Sequence, residues 1–488
     1  MKSYTLAIDQ STQGTKIILL DSNNCPVYKA IKKHTQIVNK QGWISHNLVE
    51  IQTNIHDLVQ DLLKKYPDVN LKNIALTNQR ETAAAWQKST GKPLCHAIVW
   101  QCNRAKTIIA KLDSPDLKKY VKKTSGLELS PYFSAAKFAW FLQNETAVKK
   151  AMQQQDLCLG TIDSWLLFTL TSGKSFKTEP SNACRTQLMN IAQLTWDTKL
   201  CSYFKIPRFA LAEITDSNSL FGETDFWGLL SHKVPITSIL GDSQAALFAQ
   251  NCFTKGSFKV TFGTGSSVML NIGDKLPNVL DDKLNTSIAW KRSGKVNYVV
   301  EGNINYAGAI ISWLQNELQI INSASDTEQL AFSANKDDKT VLIPAFSGLG
   351  APYWKPNLKA AFVGMSRTTT KKEIVRAALN SIAFQINDIL HEFKKICPQL
   401  ESEIHVDGGM VNNRYLMQFL SDISNRKIDI SAISELSALG TTLNSSSQLP
   451  VCQTYTSTYV PCMSQIERTN IINNWNYWIS SFSKNFNS

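Results

Sequence analysis

The chain has no run of the ~18–20 consecutive apolar residues that a membrane-spanning helix requires, so no insertion into a membrane is expected. Its start, Met1-Lys-Ser-Tyr-Thr-Leu-Ala-Ile-Asp9, places an acid where a secretory signal needs an apolar core. None of its ten cysteines forms a Cys-x-x-Cys pair, and its seven histidines show no metal-ligand spacing, which excludes a zinc scaffold. No Pro- or Gly-rich linker occurs, and no Gly-x-Gly-x-x-Gly follows a strand, which argues against a dinucleotide oxidoreductase. A Walker A loop is missing too: Gly173-Lys-Ser175 resembles its end, but Phe168 stands where the first glycine is required. Lys and Arg are scattered, densest at Lys118 to Lys123, at Lys371 and Lys372, and at Lys394 and Lys395, with no aromatic-interleaved basic stripe. These absences together predict a soluble, cytoplasmic, reduced protein with no nucleic-acid partner.

What is present is a chain of 488 residues, 43% hydrophobic and 18% charged, with a formal net charge of +12. That composition excludes a disordered tail or a disulfide-stapled miniprotein, and the length predicts several domains, each able to bury a core. The positive balance reads as a general attraction for small anionic ligands. Tyr4 to Ile8, ending at Asp9, then the small polar turn Gln10 to Thr15, then Ile17 to Leu20 read as a β-hairpin with an acid at its mouth. Phe258 to Phe262, Gly263-Thr-Gly-Ser-Ser267 and Val268 to Ile272 repeat the pattern, so two related α/β units are expected, dividing near residue 250. Strands are expected at Asn73 to Leu76, Ala97 to Trp100 and Ile404 to Val406. Helices are expected at Leu48 to Lys65, Ser134 to Asn144, Ala245 to Gln250, Tyr306 to Leu318 and Lys372 to Phe393. Ser445 to Ser464, rich in Ser, Thr and Gln, reads as an irregular surface segment.

Small-residue turns such as Ser11 to Lys16 and Gly263 to Ser267 let backbone N–H groups approach phosphate oxygens, although either alone reads equally as an ordinary hairpin turn. Arg80 and Glu81, at a strand end, could donate to and accept from hydroxyls of a polyol, or form a solvated ion pair. Asp242 precedes a helical stretch, as a general base or as an N-cap. Trp100 and Tyr132 could present apolar faces to C–H groups, or pack in a core.

Assembled, these pieces resemble the FGGY carbohydrate kinases, and among them the glycerol kinases, over nearly the whole chain. The resemblance is carried by Asp9-Gln-Ser-Thr12, Ile74 to Thr82, Gly91-Lys-Pro93, Ala97 to Cys102, Pro131-Tyr-Phe-Ser134, Gly160 to Trp165, Gly241-Asp242, Phe262-Gly-Thr-Gly265, Gly348 to Trp354, Asp407-Gly-Gly-Met410 with Asn413, and Leu416 to Phe419. Tyr132 to Asn144 fits one family signature at each constrained position; Ala360 to Asn380 fits a second except at Asn380.

The resemblance implies two ribonuclease-H-like domains of the actin, Hsp70 and hexokinase type around a catalytic cleft. Residues 1–248 would carry the acceptor site and first phosphate hairpin, and residues 249–488 the nucleotide site. It implies an ATP-dependent polyol kinase, with glycerol as the leading acceptor, Mg²⁺ as cofactor and a dimer or tetramer as the assembly. Asp242 would be the general base. Arg80, Glu81, Tyr132 and Asp242 would contact the acceptor, with Trp100 as an aromatic wall. Asp9 would lie near Mg²⁺, through water, and Thr12, Gln13, Gly14, Lys16, Gly263 and Thr264 would surround the phosphates. Gly308, Ser312, Gly409 and Asn413 would lie against the nucleotide.

The sequence departs from the family at several of these positions. Ser243 stands for a Gln after the catalytic Asp, and Ser267 for a Phe against the glycerol carbons, so the acceptor pocket loses bulk. Ser312 replaces a Gln, Lys16 an Arg, and Ser11 a Gly, which predicts an altered first phosphate turn. Thr441-Thr-Leu-Asn-Ser-Ser-Ser replaces an Ala-rich connecting helix after Glu435 to Gly440. Two other readings therefore stand beside glycerol: a kinase for a larger polyol or ketose such as erythritol, ribulose or xylulose, and a non-catalytic nucleotide or sugar sensor.

Overall fold

The computed structural model describes residues 2–446 and 455–485. The first strand, Ser3–Gln10, buries Leu6, Ala7 and Ile8 on both faces, which suits a central position in a sheet covered on both sides. It pairs antiparallel with Gly14–Leu20 and parallel with Asn70–Asn78, which in turn pairs parallel with Val234–Gly241. Pro26–Lys33 and Gly222–Thr224 complete the six-stranded sheet at its two edges. In the second half Phe258–Phe262 pairs antiparallel with Ser266–Gly273 and parallel with Glu403–Gly408, followed by Lys427–Ser431. A hairpin on one side of the founding strand and parallel crossovers on the other occur in both sheets, the α/β architecture expected of two ribonuclease-H-like units.

This register places chemistry at the strand ends. Gln10, Asn78 and Gly241 are aligned neighbours at the carboxyl ends of three parallel strands, and Phe262 aligns with Gly408 in the second sheet. Ligands in open α/β sheets collect outside these ends. A further five-stranded sheet, which the sequence reading did not separate, joins Ala83–Gln87 and Leu157–Thr161 to short strands at Ile37–Val38, Ile44–His46 and Ala97–Ile98. It packs with helix Ser134–Asn144 around its own apolar core and carries the segments that hold Trp100 and Tyr132.

Helices Asp242–Ala249 and Leu436–Asn444 cross between the two large sheets. A Cβ on Gly440 would come within 1.7 Å of the Ala245 carbonyl oxygen, so only glycine permits this approach. Although Thr441 onward replaces the Ala-rich sequence of the family, the helix continues to Asn444, and three of its polar side chains find partners. Thr441 Oγ1 donates to the Leu76 carbonyl (2.9 Å), Thr442 Oγ1 to that of Ala438 (3.0 Å), and Asn444 Nδ2 to Ser217 O and Ser238 Oγ (both 2.8 Å).

The irregular reading of Ser445 to Ser464 is corrected in part. Tyr455–Tyr459 is a strand paired antiparallel with Lys427–Ser431, while residues 447–454 lie outside the described residues. The strand expected at Ala97 to Trp100 ends at Ile98, and the helix expected from Tyr306 begins at Gly308. Among the described residues no helix is long and apolar enough to cross a membrane.

Candidate active site

Arg80 and Glu81 follow strand Asn70–Asn78, but they are not a solvated ion pair: both are buried, and each bonds elsewhere. Arg80 Nη1 donates to Glu301 Oε2 and to Gln244 Oε1 (both 3.2 Å), and its Nε lies 3.4 Å from Asp242 Oδ1. Glu81, with a left-handed φ of 61°, accepts from the Nε of Arg185 through its carboxylate. Arg185 also pairs with Glu301, so Glu81, Arg185, Glu301 and Arg80 form a continuous buried line of alternating charge between the halves of the chain. Four buried charges persist because each has opposite partners; removing one would strand its neighbours.

Asp242 is the first residue of helix Asp242–Ala249, and its preceding Gly241 is the N-cap, so the N-cap reading of Asp242 is corrected. Its Oδ1 accepts from the Ser243 backbone N–H (2.7 Å) and from Ser243 Oγ (3.3 Å). Burial pushes its carboxyl upward, Arg80 pulls it down, and Glu81 pushes it up. The Asp242 side chain keeps 36% exposure while that of Arg80 keeps 6%, so of this pair the carboxylate is the solvent-facing member. Trp100 and Tyr132 meet edge to face, with ring centroids 5.6 Å apart, and burial pushes the Tyr132 phenol well above its ordinary value. Trp100 Nε1 donates to Thr12 Oγ1 (2.9 Å), which ties this aromatic wall to the first turn.

That turn closes through Ser11, whose N–H and Oγ both donate to Gly14 O at 2.9 Å. Ser11 is not among the residues with positive φ, so no glycine conformation is demanded there. Asp9 is buried at the end of the founding strand, and burial pushes its carboxyl up to about 7; Lys16 pulls it down, while Asp242 and Glu435 push it up. Lys16 Nζ lies 3.9 Å from Asp9 and 2.9 Å from Glu435 Oε2, so it spans from the hairpin to the residue preceding the second crossing helix. Asp9 and Asp242 lie within electrostatic reach of each other, and a cation of the Mg²⁺ type needs only one or two protein carboxylates, so this pair is the part of the site that could hold one. Among the described residues no group of three or more His, Cys, Asp or Glu could hold a metal without such help.

In the second half, Gly263 and Thr264 lie in an exposed turn locked to helix Gly308–Asn316: Gly308 N–H donates to Gly263 O (3.0 Å), and Ala307 and Ala309 N–H to Thr264 O. A Cβ on Gly308 would approach Gly263 O to 2.8 Å, so this glycine lets the helix end abut the turn. Ser312 bonds back to Gly308 O (3.3 Å). Gly408, at φ 99°, lies against Phe262, and Gly409 beside it is open: nothing would lie within 4 Å of a Cβ there. Asn413 caps helix Arg414–Ser424 through Leu416 N–H and donates to Thr327 Oγ1, so its side chain is engaged.

Ser267 pairs across the sheet with Thr261 and Asn303, two residues along from the Met269–Glu301 pair. Its Oγ is buried and makes no hydrogen bond among the described residues. No bond joins Gln13, exposed at the tip of the first turn, to the other site residues.

Sequence reasoning missed Arg185, Glu301 and Gln244, and it missed Lys259, a fully buried lysine bonded to Thr261 Oγ1 (2.5 Å) and lowered by burial. Its one available signal was a lone charge inside an apolar strand run: Glu301 in Tyr298 to Ile304 and Lys259 in Phe258 to Phe262.

Residues 4–249 match the FGGY family of carbohydrate kinases, N-terminal domain, and residues 258–445 its C-terminal domain. The chain is 44% identical to glycerol kinase 1 of Thermotoga maritima over 439 residues, covering 90% of this chain and 89% of that one. To the glycerol kinase of Francisella philomiragia it is 41% identical over 443 residues, covering 90% and 88%. The crystal structure of Plasmodium falciparum glycerol kinase with ADP superposes with a TM-score of 0.92 at 32% identity, covering 99% and 98% of the two chains.

Proposed function

The chain belongs to the FGGY family of carbohydrate kinases, and from that premise we propose that it transfers the γ-phosphoryl group of ATP to a terminal hydroxyl of glycerol, giving glycerol 3-phosphate and ADP. The observation that carries the reading is Asp242: a solvent-facing carboxylate, at a helix N-terminus, 3.4 Å from the Nε of a buried arginine.

In this reading Asp242 takes the proton of the acceptor hydroxyl as that oxygen bonds to the γ-phosphorus and the bond to the β–γ bridging oxygen breaks. Arg80 donates to the acceptor, Glu81 accepts from it, and Trp100 and Tyr132 cover its C–H face, which holds the reacting oxygen in one orientation. Thr12, Gln13, Gly14 and Lys16 from the first turn, and Gly263 and Thr264 from the second, approach the phosphates from opposite halves. Gly308, Ser312, Gly409 and Asn413 border the nucleoside. Mg²⁺, when bound, supplies charge neutralisation to the phosphates; Asp9 would hold it through water. Ser243, bonded to Asp242, steadies the base. Residues 1–248 thus supply the acceptor site and first turn, and residues 249–488 the nucleotide site.

The test is a coupled ADP-release assay with Mg-ATP against glycerol, erythritol, the pentitols, ribulose, xylulose and dihydroxyacetone, ranked by kcat/KM. Glycerol is expected to rank first. The second reading, a larger polyol or ketose, is favoured by the buried Ser267 hydroxyl, which has no hydrogen-bond partner among the described residues, and a tenfold advantage for a four- or five-carbon acceptor would establish it instead. Tight ligand binding with no acceptor-stimulated ADP release would favour the sensor reading.

A further inference from the structure

Lys137 lies in the middle of the first half, on helix Ser134–Asn144, and none of its surface is exposed. A buried ammonium normally sits against a carboxylate, yet among the described residues none lies within ion-pair distance of it, and nothing in the chemistry above uses it. Its Nζ instead donates to two backbone carbonyls: that of Tyr132, in a short contact, and that of Glu81 at 3.4 Å. Both carbonyls belong to residues placed at the acceptor, from segments 51 positions apart in the chain.

Glu81 has a particular need for such an anchor. A non-glycine residue at a left-handed φ of 61° carries a strain of about 1–3 kcal/mol and holds only where its surroundings over-determine it. Its carbonyl accepts from Ser134 Oγ (3.0 Å) as well as from Lys137, and its carboxylate is gripped by Arg185. Tyr132 has less support: its N–H donates to Ser130 Oγ (3.2 Å), and its ring rests edge-on against Trp100 and Phe133. The Lys137 nitrogen also lies 5.8 Å from the Tyr132 ring centroid. Burial brings the ammonium down to about 7, against the opposing pull of Glu81, so near neutral pH the group alternates between three and two N–H donors, enough for both carbonyls in either state.

We propose that Lys137 is a positioning residue for the acceptor site: one side-chain nitrogen clasps the carbonyl oxygens of Glu81 and Tyr132 and so fixes the distance between the carboxylate that accepts from the acceptor hydroxyl and the ring that covers its carbons. It rests on the reading of this cleft as an acceptor site. A methionine would fill the same volume without a buried polar nitrogen, so packing alone does not account for a lysine here.

The test is Lys137→Met, assayed by steady-state kinetics with glycerol and ATP each varied. The glycerol KM is expected to rise at least tenfold while the ATP KM stays within twofold; a purely structural role would lower the active fraction or the melting temperature and leave this split absent. A folded variant whose glycerol KM is within twofold of wild type overturns the proposal. Should Lys137→Met fail to fold, Lys137→Arg takes its place, because the bulkier planar guanidinium cannot set its donors where the single Lys137 nitrogen sits without displacing one of the two carbonyls. The same split is expected, and a wild-type glycerol KM again overturns it. Failure of the glycerol reading itself would appear separately, as wild-type protein that does not turn over glycerol; the variants are then compared on the acceptor the wild type does phosphorylate.

Discussion

Arg80 and Glu301 meet at 3.2 Å, the arginine contributed by the first half of the chain and the glutamate by the second. The same glutamate pairs with Arg185, so a single carboxylate bridges two buried guanidinium groups. Glu301→Gln removes that charge and leaves Glu81 and Asp242 to serve both arginines. A loss of about 3–5 kcal/mol is expected in chemical denaturation. An unchanged unfolding midpoint would mean that the carboxylate contributes nothing to holding the halves together.

Asp242→Asn keeps the shape and removes the carboxylate proposed as the base. The kcat is expected to fall by about 10²–10⁴, the range associated with general-base catalysis, with ATP affinity changed by less than about twofold. Single-turnover phosphoryl transfer measured beside equilibrium nucleotide binding separates the two effects. Turnover within tenfold of wild type would assign the base elsewhere.

Asp9 should make the protein less stable as the pH rises. Its folded carboxyl titrates at about 7 against an ordinary 3.8, so between those values the folded form retains a proton that the unfolded chain has lost. Stability therefore falls across that window, and the loss is complete above about 7. Asp9→Asn escapes it: melting curves should show the variant more stable than wild type at pH 8, with the difference shrinking toward pH 4, while activity is lost. Parallel melting curves at both pH values would contradict the assigned environment.

Gly440→Ala drives a methyl group into the Ala245 backbone, which cannot rotate away as a side chain could. A loss of at least about 2 kcal/mol is expected in urea unfolding. A neutral result would show that the crossing helices have room the structure does not contain.

The two hairpins, helix Leu48–Lys65 and the polar strand ends were legible in the sequence because each is fixed by local pattern: apolar period, turn residues and an acid at the mouth. Asp242 and Arg80 were legible as candidates because strand ends gather polar ligands. Their partners were not, since Glu301 lies 221 positions from Arg80 and Arg185 lies 104 from Glu81, and one sequence carries no signal of which strand will face which. The helix through Thr441 and Thr442 was not legible for a related reason. Its hydroxyls look unfavourable until the acceptors they meet, one of them the carbonyl of Leu76 in a distant strand, are known.

The close crossing at Gly440 bears on where Asp242, the proposed base, can move. Asp242 precedes Ala245 by three residues, about 4.5 Å along the helix axis. If the halves turn about this contact, Asp242 has a short lever arm: a rotation of ~10° shifts it by roughly 0.8 Å, less than the ~1 Å misplacement that costs catalysis heavily. The turns at Ser11–Lys16 and Gly263–Gly265, proposed to face the phosphates, extend from opposite sheets and would sweep farther. Under such a rotation Asp242 would stay nearly in place while those turns moved, and an acceptor held beside it is expected to bind with or without nucleotide.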